Sequence, residues 1–179
     1  HLKNPKKISE KINILMILEN ISDDFCRAMP YQSLYFEQLI SSVVSISKSN
    51  SNSFVSVRTR NEDKVYGIAK KFEQDVILSS SIETSIEDDI NKSDIVITQY
   101  SNAINEALIF DKMIIQVDLF QINDWHTEIP NVTRVKGINE LKILLEERLK
   151  HKVFKANFMA STDLYQFNNC NHNKFKNEN

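Results

Sequence analysis

Ser101, Asn102 and Glu106 are the residues whose types and spacing best suit binding chemistry. They follow the β-branched run Asp94 to Gln99 (DIVITQ), so a hydroxyl and an amide stand where a strand gives way to a helix. Backbone N–H groups at a helix start have no helical partner and attract anions. Glu106 comes four residues after Asn102 and shares its helical face. Such a set suits a phosphorylated ligand, with donors toward phosphate oxygens and a carboxylate one turn away to accept hydrogen bonds from a ribose diol. Ser and Asn are also ordinary helix caps, and capping alone would account for both. Arg58 and Arg60, at the end of the run FVSVR, add cations that can clamp a ligand, form ion pairs or sit in solvent. His126, beside Trp125, offers acid–base chemistry, although a loop histidine without a partner is the plainer reading. His151 and His172 have no partner at metal-ligand spacing, so no metal is expected.

Composition narrows the classes. With 22 Lys and Arg against 24 Asp and Glu, the chain carries a formal charge of −2. Nucleic acid and other polyanions are therefore not expected as partners. Only Gly67 and Gly137 are present, so neither a GxxxxGK[ST] phosphate loop nor a GxGxxG turn can be written. Cys26 and Cys170 cannot build a disulfide framework or a four-thiolate zinc site. The longest apolar run is Ile14 to Leu18, far below the roughly 18 residues of a spanning helix, and no signal peptide opens the chain. The expectation is a cytoplasmic protein, attached to a membrane only peripherally if at all. Residue 1 is His, so the expectation is either a processed product or a segment of a longer parent chain.

Positioning these residues requires alternating elements. Strands are expected at Lys11 to Leu18, Phe54 to Val57, Val76 to Leu78, Asp94 to Gln99, Met113 to Val117 and Asn131 to Val135. Helices are expected at Tyr31 to Ile46, ended by the run SKSNSNS, at Asn61 to Phe72, at Ser85 to Lys92 with Ser85 as cap, at Asn102 to Phe110, and at Ile138 to Lys150. Connections too long for hairpins imply parallel pairing. The fold class is therefore α/β: a doubly wound, mostly parallel, Rossmann-like sheet of five or six strands with helices on both faces. One domain is expected over 1–165, with a disordered polar tail at 166–179. In such sheets ligands bind beyond the carboxyl ends of the strands, where strand order reverses.

The stretch Ser93 to Leu108, followed by Lys112-Met113-Ile114-Ile115, resembles the C-terminal nucleotide-binding half of GT-B glycosyltransferases, closest to the bacterial surface-polysaccharide and CDP-glycerol glycerophosphotransferase group. In that group a strand like "sDilITdYSS" leads into a helix with an acidic residue, then into "kPiI". The resemblance implies that Ser101 and Asn102 contact donor phosphates, that Glu106 meets the ribose or sugar, and that the donor is a UDP- or CDP-linked sugar or polyol serving as substrate, with no cofactor. It also implies a separate N-terminal half that binds the acceptor, with this segment alone inactive. Four positions depart from the pattern: Thr59-Arg60 stand where the group has His-Pro, Gln99 replaces an acidic residue, and Met113 replaces proline. A non-catalytic partner-binding module and half of a nucleotide-sugar epimerase or hydrolase are the alternatives.

Overall fold

A computed structural model describes residues 11–19, 32–60, 64–99, 102–118 and 132–151. Among the described residues six strands form one sheet: β1 (Ile12–Ile17), β2 (Ser53–Thr59), β3 (Val76–Ser80), β4 (Ile95–Thr98), β5 (Met113–Val117) and β6 (Val132–Val135). The order is β3-β2-β1-β4-β5-β6, and every pairing is parallel. The helices among the described residues are α1 (Gln32–Ser49), α2 (Lys64–Lys70), α3 (Ile86–Lys92), α4 (Ala103–Ile109) and α5 (Ile138–His151). The α/β, Rossmann-like architecture expected from the sequence is present, and the strand order reverses between β1 and β4.

Alternation along the strands builds two cores. Ile14, Met16, Val55, Val57, Ile95, Ile97, Ile115 and Val117 meet apolar residues of α1, α2 and α5, including Phe36, Leu39, Val43, Val65, Leu141 and Leu145. Leu15, Ile17, Val96 and Ile114 face the other way and pack against Ile90 of α3 and Ala103, Ile104, Ala107 and Leu108 of α4. Burial on both faces explains why β1 reads as an unbroken apolar run rather than an alternating one.

Element limits shift where polar residues serve the fold. The helix expected to end at Ile46 runs through Ser49, because Ser42 and Ser47 are small enough to stay buried. The Ser47 and Ser53 hydroxyls meet at 3.0 Å and close the turn into β2. Leu34, near the start of α1, is 51% exposed although apolar. The stretch 166–179 and the pair Trp125 and His126 lie outside the described residues. His151 ends α5 and is exposed. No helix among the described residues is long and apolar enough to cross a membrane.

Candidate functional site

Register brings one transverse row of side chains to the carboxyl end of the sheet. Ser79, Arg58, Ile17, Thr98, Gln116 and Arg134 are successive partners from β3 to β6. Two positions earlier, the neighbours on the same face in β1, β4 and β5, which are Leu15, Val96 and Ile114, are apolar. The α3–α4 face thus turns polar at the edge where an open parallel sheet receives ligands.

Arg58, anticipated as a ligand contact, already has partners. It is buried and forms an ion pair with the buried Asp89 of α3. Its guanidinium also donates to Thr84 Oγ1 at 3.0 Å, the Thr84 carbonyl at 2.9 Å and the Ser85 carbonyl at 3.4 Å. Asp89 in turn accepts from Ser79 Oγ at 2.7 Å and Thr84 Oγ1 at 3.0 Å. Arg58 therefore ties β2 to the β3–α3 turn, and its meeting with Asp89, Thr84 and Ser79 depends on register, which spacing along the chain does not carry. Arg60 lies one residue past β2 and is exposed. The structure does not bring the two arginines together on one ligand edge.

The β4–α4 junction holds the other candidates. Ser101 lies outside the described residues. Asn102 precedes α4 in the right-handed helical conformation (φ −61°, ψ −17°), is exposed, and makes no side-chain cap hydrogen bond. Its amide is thus not engaged in the capping role that competes with ligand contact. Glu106, half-buried one turn on, has an Oε2 atom shielded from solvent and without a hydrogen-bond partner. Burial raises its pKa above the ordinary 4.5; the charge of Glu87 adds to the rise, Arg58 opposes it, and Glu19 adds again. Those causes place Glu19, Arg58, Glu87 and Glu106 within electrostatic reach across β1, β2, α3 and α4, around the point where strand order reverses.

Two further polar residues were missed by sequence reading as site candidates. Thr98, fully buried at the end of β4, has an unpartnered hydroxyl, and both amide atoms of the adjacent buried Gln99 are unpartnered. The hints in the sequence are a Thr-Gln pair closing an otherwise apolar strand and, at Gln99, an amide where the resembled group has an acidic residue. Among the described residues no group of three or more His, Cys, Asp or Glu side chains is arranged to hold a metal ion. A separate open groove of about 690 Å³ runs between α1 and the start of α5, lined by Tyr35, Ser42, Lys136 and Asn139 among others.

The chain matches no protein-family model, and no curated protein sequence matches it. Solved structures do. A protein described as a UDP-N-acetylglucosamine 2-epimerase from Listeria monocytogenes aligns with a TM-score of 0.60 at 14% identity, covering 80% of this chain and 37% of that one. MnaA of S. aureus, solved with UDP, aligns at 0.57 and 17% identity, covering 78% and 37%. A mutant of S. aureus TarM, solved with fondaparinux, α-GlcNAc-glycerol and UDP, aligns at 0.50 and 13% identity, covering 83% and 30%. At these identities the likeness is one of fold: the chain has the Rossmann-like half found in GT-B-type proteins, and it spans less than two-fifths of the length of each of these structures.

Proposed function

We propose that this chain is the donor-binding half of a GT-B-type transferase that takes a UDP- or CDP-linked sugar or polyol, within a cytoplasmic enzyme of bacterial surface-polysaccharide synthesis. The observation that carries the reading is Glu106: a half-buried carboxylate with an unpartnered oxygen, at the carboxyl edge beside the β1–β4 reversal. A buried acceptor without a donor costs about 1–3 kcal/mol, and a vicinal diol supplies two donors. Asn102, exposed and free of a capping bond one turn earlier, is available to a phosphate oxygen. Two of the similar structures were solved with UDP bound, which favours a nucleoside diphosphate over other diol-bearing ligands. Arg58 is held by Asp89, so its role in the reading is to fix the β3–α3 turn rather than to grip phosphate.

The sugar-transfer step itself belongs to the complete protein. In that reading an N-terminal half brings the acceptor, and this half holds the leaving nucleoside diphosphate. A second reading, half of a UDP-sugar 2-epimerase, draws on the two alignments with the higher TM-scores. Both readings require the same first observation. Titrating the chain with UDP and CDP by calorimetry and amide shift mapping should give binding in the high-micromolar range, with shifts centred on Asn102 and Glu106. Absence of shifts there at millimolar nucleotide would reject both and leave a non-catalytic module. Between them, product analysis of the full-length protein with UDP-N-acetylglucosamine distinguishes transfer from epimerisation.

A further inference from the structure

Four shielded side-chain atoms without a hydrogen-bond partner fall between residues 98 and 106: Thr98 Oγ1, Gln99 Oε1, Gln99 Nε2 and Glu106 Oε2. More than nine in ten buried polar groups in native proteins are paired, so three orphans gathered at one strand end, with a fourth on the helix that follows, call for a physical account. Thr98 is 0% exposed and Gln99 4% exposed, so neither is satisfied by bulk water. The backbone beneath them is held firmly. Thr98 pairs with Ile17 on one side and Gln116 on the other, and Gln116 Nε2 donates to the Gln99 carbonyl at 3.1 Å. The orphaned groups therefore sit on a fixed platform at the reversal of strand order.

Their chemistry selects the complement. A carboxamide presents a donor and an acceptor side by side, and a hydroxyl can do either. Phosphate oxygens only accept, so they would satisfy Nε2 and leave Oε1 facing negative charge. Neutral groups that both donate and accept, such as a sugar hydroxyl, an acetamido group or the imide edge of a pyrimidine, satisfy both atoms. We infer that Thr98 and Gln99 form the subsite that reads a neutral donor–acceptor group of the ligand, apart from its phosphates, in the site proposed above, on whose existence the inference rests.

The variants Gln99→Leu and Thr98→Val keep the side-chain shape and remove the polar atoms. If the atoms are unsatisfied without ligand, each apo variant should melt at or above the wild-type temperature, because an apolar replacement relieves an orphan. Each should bind UDP-N-acetylglucosamine about tenfold more weakly by calorimetry, the equivalent of one or two lost hydrogen bonds. An equal loss with UDP locates the recognised group on the nucleoside, and a loss confined to the sugar-linked form locates it on the sugar. Unchanged affinity in both variants while wild type still binds overturns the inference and leaves the donor-binding reading intact. Melting clearly below wild type, or failure to fold, also overturns it, since the atoms would then be satisfied in the apo protein. Absence of binding by the wild type defeats the donor-binding reading itself.

Discussion

Glu106 and Arg58 show how single residues divide between site and scaffold. Burial raises the Glu106 pKa first of all, so the folded protein holds this proton more tightly than the unfolded chain. Stability contributed by such a group is present in full below the unfolded value and lost as pH rises through the folded one. Glu106→Gln should therefore raise the melting temperature near neutral pH and flatten its dependence on pH just above 4.5, as followed by thermal melts across a pH series. Nucleotide binding should move the opposite way, weakening as pH falls through the raised pKa, because a protonated carboxyl accepts poorly from a diol. Titrations across the same series check the sign. Arg58, by contrast, sits in a buried pair, and removing one partner of such a pair typically costs about 3–5 kcal/mol. Arg58→Ala and Asp89→Ala should each lower urea stability by about that much, and the double variant by less than the sum. An additive result would mean that the pair is not coupled.

Elements differ in how they were legible. The α3 start was readable because Ser85 caps locally: its hydroxyl accepts from Asp88 N at 3.1 Å. Ser85→Ala should cost about 1 kcal/mol. Asn102→Ala should cost little in stability, since Asn102 makes no cap bond, while weakening nucleotide binding. Paired melts and titrations separate the two roles, and an equal loss of stability at both positions would return Asn102 to the scaffold. β4, β5 and α5 were evident from β-branched runs and leucine spacing, signals that lie within one element. The partners of Arg58 and the burial of Thr98 and Gln99 were not legible for the converse reason. Their burial comes from partners in other elements, such as Asp89 and Gln116, and spacing along the chain carries no record of them. Lys112 belongs with these: its amine donates to the Asn91 and Ser93 carbonyls at 2.9 and 2.6 Å and closes the end of α3 from across the chain.

At the scale of the molecule, alternation of apolar runs with amphipathic stretches was enough for the class and for parallel pairing. It was not enough for strand order. That order depends on β1 standing centrally, and a polar seam at the amino edge fixes it there. Asn13 N donates to Asp94 Oδ2 at 2.8 Å, Asn13 Nδ2 to the Lys92 carbonyl at 3.2 Å, and Ser56 Oγ to Asn13 Oδ1 at 2.9 Å. These bonds join β1 to residues 43, 79 and 81 positions away. During synthesis, β2 and β3 can dock on one side of β1 as soon as they emerge from the ribosome, but the other side stays bare until β4 follows. A nascent or prematurely ended chain then carries an apolar strand with an open hydrogen-bonding edge, the kind of surface that recruits a second copy. The interval between the emergence of residue 17 and that of residue 98 is when this protein most needs a chaperone.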